Sequence, residues 1–108
     1  MQKQIIAALD SGNRTQAQWS AELLRDALRT EHGIQADTHV GYGLALVSVW
    51  VGLLVWCDGD WYWWRANWDE RRKRVVYACH TAMEPSHAAQ RVAFRYTELR
   101  NQPENGAA

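Results

Sequence analysis

The side chains that could do covalent chemistry in this chain are few. Asp58 and Asp60 are a carboxylate pair of the kind used in general acid–base catalysis, but they flank Gly59, and a tight turn accounts for both. Cys57, Cys79, His39, His80 and His87 carry metal-ligand atoms. Zinc sites usually draw ligands from close pairs such as C-x-x-C, whereas Cys79 and His80 are adjacent and point to opposite faces of a strand. No metal and no cofactor is therefore expected. A Cys57–His80 dyad would be a nucleophile and base, with nothing else in the sequence to support it. Nucleophile elbow, phosphate loop and H-E-x-x-H motifs do not occur. No catalytic residue is assigned, and the reading leans away from an enzyme.

Non-covalent recognition has stronger candidates. The stretch Gly41 to Arg65 holds Trp50, Trp56, Trp61, Trp63 and Trp64, five of the chain's seven tryptophans. Tryptophan is enriched at binding hot spots, and a cluster around Arg65 could also stack a planar or cationic small molecule while the arginine holds an anion. The run Arg71, Arg72, Lys73 and Arg74 beside Trp68 is the one pattern suited to a polyanion, since basic groups neutralise phosphates and aromatics stack bases. Asp69 and Glu70 adjoin it, so a solvated loop is the favoured reading over nucleic-acid binding.

These side chains must be positioned by regular elements. Thr15 to Gln18 fits a capping box and starts a helix running to about His32, stopped by Gly33. Its apolar stripe is read as Trp19, Leu23, Leu24, Ala27 and Leu28, with Glu22, Arg25, Asp26 and Arg29 outward. Ile34 to Val40 alternates as a half-buried edge strand, and Gly41-Tyr42-Gly43 turns the chain. Leu44 to Cys57 reads as one long strand bent or bulged at Gly52, with a break into two strands at Val51-Gly52 as the alternative. Asp58-Gly59 is a hairpin signal, here taken as the two central residues of a type I′ turn.

That turn sets a register: Trp56 opposite Trp61, Val55 opposite Tyr62, Leu54 opposite Trp63. Alternation then separates an aliphatic face (Ala45, Val47, Val49, Val51, Leu53, Val55 and Cys57, with Tyr62 and Trp64) from a second face. The second face carries Leu44, Leu46, Ser48, Trp50, Leu54 and Trp56, with Trp61, Trp63 and Arg65. Asp69 to Lys73 is a charged connection, Arg74 to Cys79 a further strand, and Glu84-Pro85-Ser86 opens a last helix. That helix has an apolar stripe of Ala88, Ala89, Val92, Tyr96 and Leu99. The expected architecture is one α+β domain, an antiparallel sheet of three or four strands with an N-terminal and a C-terminal helix on one face (α-β-β-β-β-α). Residues 1–14 form an arm, 15–100 the folded core and 101–108 a flexible tail.

Composition narrows the partners. The chain has 108 residues, with 12 basic and 12 acidic, so no overall field draws it to nucleic acid or to an anionic membrane. Val40 to Cys57 is an uncharged run of 18 residues, at the lower limit for a membrane helix, but Gly41, Gly43, Gly52 and its many valines favour strands. The start of the chain has an apolar run shorter than a signal-peptide core and reads as mature sequence. Two cysteines without an export signal fit a reducing cytoplasm.

The runs GLALVSVWVGLLVWCDG and YWW, together with RVAFRYTELR, resemble short uncharacterised cytoplasmic proteins of high-GC Gram-positive (actinobacterial) bacteria. The resemblance spans about Gly33 to Arg100 and implies a cytoplasmic accessory or regulatory role, with no catalytic motif to carry over. The expectation is a small domain acting through protein contacts of its tryptophan face, as a homodimer. A small-molecule sensor or enzyme near Arg65 and a nucleic-acid binder through Arg71 to Arg74 are the alternatives. The interface or ligand residues are Trp50, Leu54, Trp56, Trp61, Trp63 and Arg65.

Overall fold

A computed structural model describes residues 15–41 and 43–102; the N-terminal arm, Tyr42 and residues 103–108 of the tail lie outside the described residues. The elements are α1 (Gln16–His32), β1 (Asp37–Gly41), β2 (Leu44–Trp50), β3 (Leu53–Cys57), β4 (Trp61–Asp69), β5 (Arg74–Thr81) and α2 (Pro85–Asn101). The strands form one antiparallel meander in sequence order, and the fold is α+β with two helices flanking the sheet. Among the described residues there are five strands rather than three or four, because Leu44 to Cys57 breaks at Val51-Gly52 instead of continuing as one bent strand. The uncharged run from Val40 to Cys57 is thus the end of β1 plus β2 and β3. No helix among the described residues is long and apolar enough to cross a membrane.

The break creates a register problem that a bulge solves. A two-residue turn pairs Trp50 with Leu53, an even with an odd position, and continuing that parity would set Ser48 opposite Val55. A slip of one residue moves every side chain to the other face. One extra residue in β2, between Ser48 and Trp50, restores Ser48↔Leu54 and Val47↔Val55, so the aliphatic side chains of both strands stay together. Gly52, with φ of +82°, supplies the backbone conformation that the turn needs.

The next turn also differs from expectation. Gly59 and Asp60 form the loop, not Asp58 and Gly59, giving Cys57↔Tyr62, Trp56↔Trp63 and Val55↔Trp64. Asp58 Oδ1 accepts from the backbone N–H groups of Asp60 and Trp61, both at 2.8 Å, which satisfies the loop's donors from within. The shift is two residues, so the faces are unchanged. Gly59 has φ of +100°, and a Cβ there would stand 2.7 Å from Gln16 Cγ. Glycine therefore serves both the turn and the close approach of α1.

Helix α1 begins where Thr15 Oγ1 accepts from Gln18 N–H at 3.0 Å; the Gln18 side chain reaches on to Glu22 rather than back to the cap. It ends at Gly33, with Ile34 N–H bonded to Leu28 C=O at 3.0 Å. Its buried stripe is Ala17, Ser20, Ala21, Leu24, Ala27 and Leu28, while Trp19 is 50% exposed. The stripe is rotated from the expected one because α1 packs against α2 through small residues. Ala88, Ala89 and Ala93 on α2 match Ala17 and Ala21, and bulky Trp19 would hold the helices apart. The core lies between the helices and one sheet face: Ala45, Val47, Leu53, Val55, Cys57, Tyr62 and Trp64 are at most 2% exposed. Tyr62 anchors sheet to helix, its hydroxyl donating to Ser20 C=O at 2.7 Å.

Candidate interaction face

The other side of the sheet has no helix over it. Along β4 the alternation sends Tyr62 and Trp64 into the core and Trp61, Trp63 and Arg65 outward. Trp56 lies directly across from Trp63, and its ring meets Tyr77 edge-on, with centroids 6.1 Å apart at 61°. Tyr77 is opposite Arg65 in the register, and Cys79 is opposite Trp63, which places both on this face.

A bulge at Ala66 enlarges it. Arg65↔Tyr77 is followed by Asn67↔Val76 and Trp68↔Val75, so the parity of β4 changes and Trp68 joins the side that Trp61 and Trp63 occupy. Trp61, Trp63, Trp68 and Tyr77 are 45%, 46%, 47% and 59% exposed, a continuous aromatic surface with each ring about half in solvent. The surface is concave. A hollow of about 450 Å³ is lined by Leu44, Trp56, Asp58, Trp63 and Tyr77, and a second of about 300 Å³ runs along Leu44, Leu46 and Trp56 to His39.

Of the six residues expected on this face, Leu54, Trp56, Trp61, Trp63 and Arg65 are there. Trp50 is not. The bulge that keeps the aliphatic register pairs it with buried Leu53 and turns it toward the helices. There it meets Tyr96 edge-on at 5.7 Å, and Arg100 stacks over it at 4.7 Å. Trp50 still borders, with Trp56 and Arg65, a hollow of about 400 Å³ at that end of the sheet. Alternation could have placed Tyr77 on the open face with Cys79; nothing periodic in the sequence could have placed Trp68 there.

The basic run forms the tip between β4 and β5, where Lys73 takes φ of +53°. Asp69 Oδ1 accepts from the N–H groups of Arg71 and Arg72, Arg72 pairs with Asp69 at 3.9 Å, and Lys73 bonds Glu70. Two of its four cations are thus spent on the acidic residues beside them. All four basic residues are exposed.

The covalent candidates separate. Cys57, Tyr62 and His80 lie in one cross-strand row, so Cys57 and His80 are two strands, about 10 Å, apart with Tyr62 between them. Burial, followed by the neighbouring Asp58 charge, pushes the Cys57 thiol up to about 12, the wrong direction for a nucleophile. Burial likewise raises Tyr62 above its ordinary value. Cys79 is exposed on the open face, and His80 points the other way, as alternation requires. One grouping was not foreseen: His80 is joined by Glu84 and His87 at the start of α2. The spacing H-x-x-x-E-x-x-H carries it in the sequence, although it contains no close cysteine pair.

Comparison of the chain with protein-family models, with curated proteins and with solved structures finds no match.

Proposed function

We propose that this domain works by contact rather than by covalent chemistry, with its aromatic sheet face seated on the same face of a second copy. One observation carries the reading: the helices bury the middle of one side of the sheet, from Ala45, Val47 and Val55 to Tyr62 and Trp64, while Leu44, Trp61, Trp63, Trp68 and Tyr77 on the other side are 44–59% exposed beside half-buried Trp56. Monomers rarely leave a contiguous apolar patch of this kind uncovered. A second copy suits it better than a charged partner, because the face is almost uncharged. Its charges are also self-complementary. Asp58 lies at the β3–β4 turn and Arg65 four residues further along β4 than Trp61, roughly 13 Å away at the usual strand rise. A two-fold axis through the face, running β4 against its mate, brings Arg65 of each copy toward Asp58 of the other.

The hollow between Trp56, Trp63 and Tyr77 has the size of a small-molecule site, which favours an apolar, planar ligand as the second reading. Sedimentation separates the two. A dimer at micromolar concentration that becomes monomeric in Trp63→Ala and Trp61→Ala, with far-UV dichroism unchanged, supports the first. A compact monomer at all concentrations, with tryptophan emission that responds to aromatic ligands, removes it in favour of the second.

A further inference from the structure

The corner between β5 and α2 gathers three side chains by their ligand atoms. His80, next to last in β5, faces the helix side; Glu84 is the residue capping α2, and His87 lies one turn on. His80 Nε2 is 2.9 Å from Glu84 Oε1, and the same oxygen is 3.6 Å from His87 Nδ1. All three ligand atoms are within 4.8 Å of one another. Donors bound tetrahedrally at about 2.1 Å from one ion stand roughly 3.4 Å apart, so small side-chain rotations bring this set onto a metal.

The backbone holding them is fixed. Ala82 N–H bonds Asp60 C=O at 2.9 Å, Glu84 N–H bonds Thr81 C=O at 3.2 Å, Met83 N–H bonds Thr81 Oγ1 at 3.2 Å, and Pro85 follows. Helix capping does not explain where the carboxylate points. Glu84 makes no side-chain bond to the helix N–H groups, although it occupies the position from which capping residues do so. It is turned instead to the two imidazoles.

We propose that His80, Glu84 and His87 form a three-ligand site for a first-row divalent ion, with Zn²⁺ the best fit. Two imidazoles and one carboxylate favour borderline-soft ions over Mg²⁺ or Ca²⁺, which prefer oxygen alone. Glu84 and His87 are exposed, so water can fill the fourth position. One neighbour opposes the ion. Arg91 Nη1 donates to Cys79 C=O at 2.8 Å and stands 3.1 Å from His80 Nδ1. Without metal, Nδ1 accepts from Arg91, and Nε2–H donates to Glu84. To bind through Nε2 the ring moves its proton to Nδ1, and Arg91 keeps only the Cys79 carbonyl.

The test is titration of the full chain with Zn²⁺ against a chromophoric chelator. The expected result is one ion per chain with Kd of roughly 10 μM or tighter. Glu84→Gln and His87→Ala should each weaken it by about tenfold or more, and Arg91→Met, which removes the competing donor and charge, should tighten it severalfold. His39→Ala, on the opposite sheet face, should change nothing. Dichroism checks the fold of each variant, and exposed His87 can be replaced without disturbing the core. Binding weaker than about 100 μM, or binding that His87→Ala leaves intact, overturns the site.

Discussion

Trp63 and Trp64 are neighbours in the chain and opposites in the molecule. Trp64 is 2% exposed, with Arg91 stacked over its ring at 5.0 Å, while Trp63 is 46% exposed, with Trp56 across from it on β3 and Cys79 across from it on β5. The two sheet faces differ in the same way. What separates them is the size of the side chains available to cover them, since both are apolar. The covered face is closed by helices whose buried residues mix small side chains, Ala17, Ser20 and Ala21 on α1 and Ala88, Ala89 and Ala93 on α2, with Leu24, Leu28 and Val92. The open face presents Trp56, Trp61, Trp63, Trp68 and Tyr77, and no described element of the chain lies across it.

The contrast is broken most severely from the covered side. Leu24 is fully buried between α1 and the sheet, and Leu24→Ala should cost about 2–5 kcal/mol in chemical denaturation, from lost transfer energy plus the cavity left behind. Half-exposed Trp63 should show much less when replaced by Ala in a dilute monomer, because its ring already contacts water on one side. Equal losses at the two positions would mean that the open face is core after all.

A smaller effect is expected where the two turns of the sheet are compared. Gly59→Ala forces a side chain into φ of +100° and against Gln16, and should cost about 1–3 kcal/mol. Gly52→Ala meets the same conformational penalty but no atom within 4 Å, so it should cost less when both variants are unfolded in urea. The difference measures how closely α1 sits on the β3–β4 turn.

Much of this arrangement is readable from residue order. The division between Val47, Val55, Tyr62 and Trp64 on one side and Trp56, Trp61 and Trp63 on the other follows from strict alternation, and it survives a turn misplaced by one position because the resulting register shift is even. The Thr15 and Gly33 boundaries of α1 follow from capping chemistry, and α2 from Pro85 and its apolar stripe. Bulges leave no such trace. The extra residue in β2 removes Trp50 from the open face, and the one at Ala66 adds Trp68 to it; both are demanded by strand pairing, which is a tertiary matter. The strand count failed because Val51-Gly52 turns inside a run with no polar punctuation. The stripe of α1 keeps the expected Leu24, Ala27 and Leu28 but has Ala17, Ser20 and Ala21 in place of Trp19 and Leu23, because small residues permit close packing. His80, Glu84 and His87 meet only because a corner joins a strand to a helix, and no single periodicity spans both.

The two cysteines read the two faces directly. Cys57 is fully buried beneath the helices, and burial pushes its thiol up to about 12, so the reactive thiolate is scarce at pH 8. Cys79 is exposed opposite Trp63. A disulfide reagent at pH 8 should therefore modify one thiol quickly in the native chain and the second only on unfolding, with rates at least about a hundredfold apart. Comparable rates would show that the helices do not close the covered face. The fast thiol also reports on the open face. If a second copy sits there, labelling of Cys79 should slow as protein concentration rises through the dimerisation range, and Trp63→Ala should abolish the dependence. A rate independent of concentration, alongside a dimer seen by sedimentation, would place the contact elsewhere, because a thiol across from Trp63 cannot stay open to reagent when that tryptophan is covered.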